Sequence, residues 1–359
     1  MGRQNHSTIY DVAAQAGVSP ATVSHVLNGT APISIDTQAR VRKVIRELDY
    51  RPNANARSLR TEHSRIIGVI LQDISSEYYA RSVAGVLEVA QGYDYVVLTI
   101  DVRFRPEVLE KSVAALVGRR VDGLIFIGGA GDEKSVEMAG AAEVPIVFGD
   151  RHVPGFTCVE FNNFHTMHAI VDSLCDMGYK RFGYLGEPLS VQQNLEGRYG
   201  GIVAALDERG IPQSDRCLIL DQALHLDKMR PAYAIFKAAL ERMPAPCRPQ
   251  VVMTSNDMVA QGVISASLRR GLKIPEDIAV FGFDDISIAE LNTPSISTVV
   301  QDPHLLGKLC FEKLLAKINR GEGASENVLL EQKVVVRQTA RIDEGLLEGR
   351  GVSVLRSEP

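Results

Sequence analysis

The chain has 359 residues, of which 45% are hydrophobic, enough to bury a large core and to exceed one typical domain. No run approaches the roughly 18 apolar residues of a membrane span, and the N-terminal "MGRQNHSTIYD" lacks the apolar core of a signal peptide, which predicts a cytoplasmic protein. Net charge is −5, yet residues 1–65 hold nine Lys/Arg against five Asp/Glu while the remainder holds 30 against 39, and a basic head on an acidic body suits a protein that places one end on a polyanion.

In "STIYDVAAQAG" Thr8 and Asp11 make a capping box, Ile9, Val12, Ala13 and Ala16 form an apolar stripe, and Gly17 can end the helix. "VSPATVSHVLNG" follows, with Ser19 as N-cap, Pro20 at the first helical position, and Val23, Val26 and Leu27 at i, i+3 and i+4. The rest of that helix presents Pro20, Ala21, Thr22, Ser24, His25 and Asn28. An ordinary surface helix carries Lys and Glu; this bare face of small donors and acceptors suits close contact with something polar. Two short helices across a Gly-Val turn make a helix-turn-helix, whose second helix enters the major groove. A third helix, capped by Ser34 and carrying Val41, Val44, Ile45 and Leu48, completes the core.

"TIYDVAAQAGVSPATVSHVLN", followed by "ELDYRPNANARSLRT", resembles the DNA-binding headpiece and hinge of the LacI/GalR family of bacterial transcription regulators, and the likeness runs to about Ala340. It implies DNA contacts from Thr8, Tyr10, Ser19 and the outward residues of the second helix. The hinge segment could form only about six helical residues, well short of the roughly 12–15 needed in isolation, and Leu59 has no apolar partner within it. The resemblance makes it a hinge helix that inserts Leu59 into the minor groove, with Arg57 and Arg60 on phosphates or the groove edge.

Beyond Ile66, short apolar runs ("IIGVIL", "YVVLTI", "GLIFIG", "PIVFG", "FGYLG", "VVMTS", "IAVFGF") alternate with helical patterns starting at Tyr79, Pro106, Phe164, Glu196 and Asp257. Such alternation predicts an α/β fold of buried parallel sheets flanked by helices. An internal echo between Gly68–Gly92 and Gly183–Gly210 suggests two similar subdomains, and the resemblance implies a periplasmic-binding-protein-like core whose chain crosses between them near Asn162, Asn292–Pro294 and Leu330. The expected domains are a headpiece over 1–50, a hinge helix and linker over 51–64, an N-terminal core subdomain over 65–163 plus 294–328, a C-terminal core subdomain over 164–293 plus 329–344, and a tail over 345–359. The tail is too short in heptads for a tetramerising coiled coil.

Ligands of open α/β sheets sit outside the carboxyl ends of the strands. That rule selects Asp73, Asp150, Asn256 and Asp284, with Arg198 opening the helix after "FGYLGEP" and Tyr78 or Tyr79 available to stack on a ring. The resemblance carries Asp150, Arg198, Asn256 and Asp284 onto effector contacts of sugar-binding members, and Tyr78-Tyr79 onto an aromatic pair of the purine-binding member. Gln192, Asn194 and Arg151 depart from that member, so a sugar, sugar acid or polyol is favoured over a purine; Arg151 and Arg198 leave a carboxylate-bearing ligand open.

Other constellations carry less. "GGAGDE" is not a G-x-G-x-x-G loop, and His168 falls on the stripe of Phe164, Met167, Val171, Leu174 and Cys175, which reads as packing rather than as a metal site with His165. Five cysteines (Cys158, Cys175, Cys217, Cys247, Cys310) without Cys-x-x-Cys spacing point to neither disulfides nor zinc. No nucleophile has a credible base. The expectation is a homodimeric repressor on pseudo-palindromic double-stranded operator DNA, controlled by a small-molecule effector, with no cofactor, metal or membrane. A solute-binding protein of the same core would need a signal peptide and no headpiece.

Overall fold

Thr8 and Asp11 close the capping box in both directions, with Asp11 N at 3.3 Å from Thr8 Oγ1 and Thr8 N at 2.7 Å from Asp11 Oδ2. This starts α1 (Ile9–Ala16), and Gly17, at φ 65°, ends it. Ser19 accepts from Thr22 N and starts α2 (Pro20–Asn28); Ser34 does the same for α3 (Ile35–Glu47). Their buried faces, Val12, Ala13, Ala16, Val23, Val26, Val41 and Val44, meet in one small core. The stripe on α2 differs from expectation at two positions. Leu27 is 37% exposed and Ser24 only 8%, because the α2 surface that meets α1 and α3 is centred on Val23 and Val26 and turns toward Ser24.

The computed structural model describes residues 7–50, 63–129, 133–189, 196–320 and 324–356. Met1–Ser64 and Arg65–Pro359 form separate units. The hinge segment expected over 51–64, with Arg57, Leu59 and Arg60, lies outside the described residues except for its last two.

The second unit holds two sheets. The first runs β11-β5-β4-β3-β1-β2, all parallel, from β1 (Ile66–Leu71), β2 (Val96–Asp101), β3 (Gly123–Ile127), β4 (Ile146–Gly149), β5 (Thr157–Phe161) and β11 (Asn327–Leu330). The second runs β13-β12-β10-β9-β8-β6-β7, from β6 (Phe182–Gly186), β7 (Arg216–Leu220), β8 (Val251–Thr254), β9 (Ala279–Asp284), β10 (Ser297–Val300), β12 (Lys333–Val336) and β13 (Ser353–Arg356). Among the described residues only the β10–β12 pairing is antiparallel.

Helices α4 (Glu77–Gly92), α5 (Pro106–Gly118) and α6 (Glu133–Ala141) follow strands of the first sheet; α7 (Asn163–Asp176), α8 (Glu196–Glu208), α9 (Met229–Arg242), α10 (Asp257–Arg269) and α11 (Ser287–Leu291) belong to the second. Helix α12 (Pro303–Arg320) returns to the first sheet, burying Leu306, Cys310, Phe311 and Leu314. It touches α4 closely: a Cβ on Gly307 would lie 1.9 Å from Ser82 O, and one on Gly85 2.0 Å from His304 O.

The chain crosses between sheets after β5, after β10 and after β11. The second crossing is therefore at Gln301–Asp302, not near Asn292–Pro294, because β10 pairs with β9 and belongs to the second sheet. The expected tail is also part of that sheet: α13 (Glu344–Glu348) leads into β13, which pairs with β12. Arg350 anchors it to α7 through Asp172 and Asp176. His168 is not packed in the core; its Nε2 lies 2.9 Å from Glu208, and neighbouring Phe164 is 49% exposed. All five cysteines are free.

Candidate ligand cleft and nucleic-acid interface

On the first unit, Tyr10 is 71% exposed and Ser19, Ala21 and Thr8 are open, with Pro20, Thr22 and His25 half-buried. Several of these side chains are already engaged. Thr8 is held by Asp11, and Ser19 Oγ lies 2.9 Å from Thr22 Oγ1. His25 Nδ1 sits 2.9 Å from Thr30 Oγ1, a hydrogen bond that engages Nδ1 and not Nε2. Ser24 is buried, so among the described members of the expected face its side chain is the one that α2 does not present. The Asn28 side chain lies outside the described residues.

In the second unit a cleft of about 420 Å³ opens at the carboxyl ends of both sheets, within the range of small-molecule sites. Seven expected residues line it: Asp73, Tyr78, Tyr79, Asp150, Arg198, Asn256 and Asp284. Arg151 does not; its guanidinium lies over the Phe148 ring at 5.3 Å. Gln192 and Asn194 lie outside the described residues. Asp150 directly follows β4 and Asp284 ends β9, with φ of 60° and 100°, an uncommon region for residues other than glycine, asparagine and aspartate, and backbone held there is concentrated at functional sites.

Arg198, 4% exposed, is the hub of the cleft. Its Nη1 donates to Ser255 O at 2.7 Å and lies 3.4 Å from Asp284 Oδ1, its Nη2 donates to Gln301 Oε1 at 3.4 Å, and its plane stacks 3.8 Å from the Phe283 ring. Burial pushes the Asp284 carboxyl up to about 6 despite the guanidinium beside it. Burial also lifts both tyrosine hydroxyls well above their usual range.

Asn256 Oδ1 caps α10 by accepting from Val259 N at 3.0 Å, and its amide faces Glu187 and Ser255. Tyr78 and Tyr79 meet edge-on at 5.5 Å.

Three parts of the cleft were not anticipated. Lys228 pairs with Glu187, a carboxylate with no exposure, and although burial opposes it the ammonium holds that carboxyl below its ordinary range. Glu187 directly follows β6, so the strand-end rule that selected Asp150 applies to it equally. Glu77 spans the cleft, accepting from Ser287 N at 3.1 Å and Oγ at 2.9 Å. Leu226, Met258, Ile286 and Ile288 supply an apolar wall that only the tertiary fold assembles.

The Asn163 carboxamide ties the three crossings together. Its Oδ1 accepts from Gln301 Nε2 at 3.2 Å and from Gln332 Nε2 at 2.8 Å, one residue from each of the other two crossings. Since Gln301 also accepts from Arg198, the cleft is wired by hydrogen bonds to the segments about which the two subdomains would turn.

A sequence model of the bacterial regulatory proteins of the lacI family matches residues 8–53, and one of the periplasmic binding protein-like domain matches residues 171–340. Catabolite control protein A of Priestia megaterium is 29% identical over 339 residues, covering 93% of this chain and 99% of the relative. The lac repressor dimer bound to operator and the anti-inducer ONPF is 27% identical with a TM-score of 0.80, covering 93% and 98%. A transcriptional regulator CelR–cellobiose complex, 24% identical with a TM-score of 0.67 over 93% and 100%, shares the fold. With both parts matched in the same order along relatives of the same length, the chain belongs to the lacI family of bacterial regulatory proteins.

Proposed function

We propose that the chain is a homodimeric repressor whose headpieces read two half-sites of a pseudo-palindromic operator, and whose cleft binds a hydroxylated effector, a sugar or polyol, that sets operator affinity. The observation that carries this reading is the path from the cleft to the crossings, Asp284 to Arg198 to Gln301 to Asn163. A ligand that engages Asp284 and Arg198 differently in two subdomain arrangements shifts their populations, and by linkage operator DNA must alter ligand affinity by the same factor.

Arg198 and Asp150 belong to the group assigned to the effector, together with Asp73, Tyr78, Tyr79, Asn256 and Asp284. A sugar acid is less well served, since Arg151 lies over Phe148 and the Arg198 Nη groups already have protein acceptors. Edge strand β2, which pairs with β1 and leaves Val96 56% exposed, supports contact with a second copy. A DNA target places the protein in the cytoplasm, and no helix among the described residues is long and apolar enough to cross a membrane.

The test is selection from random duplex DNA by the full chain, followed by titration of the selected site with a sugar and polyol set. A palindromic site whose affinity responds to one of these compounds is expected. Sites without two-fold symmetry, or no selection at all, would overturn the reading.

A further inference from the structure

The cleft carries more negative charge than its own cations cancel. Five carboxylates line it: Asp73, Glu77 and Asp150 from the first subdomain, Asp227 and Asp284 from the second. Among the described lining residues only Arg198 and Lys228 are cationic. Lys228 Nζ donates to Glu187 and to the carbonyls of Leu224 and His225, each at 3.2 Å, which uses the three protons of an ammonium. Its charge is thus matched by Glu187, which is not one of the five. Lys228 still acts on Asp284 through space, but its direct ion pair is with Glu187, so the five lining carboxylates outnumber the two lining cations, of which Arg198 is the one not paired to a sixth carboxylate.

The remaining hydrogen bonds orient carboxylates without neutralising them. Asp73 accepts from Ser75 N at 3.0 Å and Glu77 from Ser287, all neutral donors.

We propose that the effector is a cation, a hydroxylated small molecule bearing a protonated amine, of the hexosamine class. This rests on the reading of the cleft as the effector site and narrows it. The ammonium sits among carboxylates that belong to both subdomains, while the carbon skeleton lies along Tyr78, Tyr79 and the apolar wall. Placement of like charges on both walls also gives the amine a role in the switch. Closing the cleft brings Asp73 and Asp150 toward Asp227 and Asp284 in a partly desolvated space, where like-charge repulsion is strongest. A bound cation removes that repulsion and so favours one arrangement over the other, which is the differential affinity that control requires. A neutral sugar of the same shape fills the cleft without this effect, and an anion opposes it.

The test is calorimetric titration of the full chain at pH 7 with glucosamine, galactosamine and mannosamine, each against its parent hexose, its N-acetyl derivative and the matching uronic acid. At least one amine is expected to bind tenfold or more tightly than its parent and its N-acetyl form, with the preference shrinking as salt rises. D73N and D227N, checked for unchanged melting, should each lower the affinity of the amine more than that of the parent hexose. A neutral or acidic compound that binds as tightly as its amine, or failure of every amine to bind, overturns the assignment. A neutral sugar that outbinds the amines and still changes operator affinity does so while leaving the effector-cleft reading intact; compounds that change operator affinity equally in chains with and without D284N overturn both.

Discussion

D284N should make this protein more stable and less responsive. Asp284 is 8% exposed, ends β9 at φ 100°, and has its carboxyl pushed by burial from 3.8 up to about 6 although Arg198 Nη1 is 3.4 Å away. A raised carboxyl pKa means that the fold prefers the protonated form. The resulting stabilisation is fully present below pH 3.8 and is lost as pH rises through about 6.

The interval corresponds to about 3 kcal/mol, at about 1.4 kcal/mol for each tenfold change in proton affinity. An asparagine amide copies the shape of the protonated carboxyl and tolerates positive φ well. At pH 7.5 the D284N chain should therefore exceed the parent by up to about 3 kcal/mol, and at pH 4 the two should converge. For a domain of this size that is a rise in Tm of about 5–10 °C. Urea denaturation and calorimetry at both pH values measure it, and an operator titration with effector measures the lost response. If D284N is no more stable than the parent at pH 7.5, Arg198 fully compensates the carboxylate, and the idea that the cleft keeps this group ionised at the expense of stability is refuted.

N163A removes the common acceptor of Gln301 and Gln332, both buried, and should cost about 2–4 kcal/mol in urea denaturation while weakening the effect of ligand on operator affinity. E187Q leaves the Lys228 ammonium without a counter-charge and should cost about 3–5 kcal/mol, most of which K228M in the same chain should restore; an additive double variant would refute the pairing. H25A should relax discrimination at one base pair of each half-site by about 1–3 kcal/mol in titrations on operator variants, leaving the other positions unchanged.

The cleft is legible wherever a polar residue ends an apolar strand or follows it within two residues, because the carboxyl end of a parallel strand points at the site whatever the rest of the fold does. Asp150, Asn256 and Asp284 were found that way. Arg151 does not line the cleft: the chain turns through positive φ at Asp150, and the next side chain lies over Phe148. Strand β10 was illegible for a different reason. Its Ser297 and Thr298 are buried and satisfied by partners remote in sequence, Ala340 O and Asp257 Oδ1, so a central strand reads as polar loop and the second crossing was placed too early. Lys228 lies in a loop with no apolar pattern, and only the tertiary fold brings it to Glu187. Edge strand β7, half-exposed along its length, mixes Arg216 with aliphatics and so presents no continuous apolar run.

The interleaving of the two sheets matters for how such a protein is made. The three helices of the first unit are synthesised by residue 50, whereas the first sheet waits for β11 and the second for β12 and β13, beyond residue 326. At about 5–20 residues per second, most of the time of synthesis passes with a finished reading head and no finished cleft. A chain broken by proteolysis or an early stop codon anywhere in that interval keeps the helices that meet bases and loses both the ligand and the means of answering it. An early stop anywhere in that interval therefore leaves the three-helix unit whole and both sheets short of their last strands, because each sheet draws on the end of the chain.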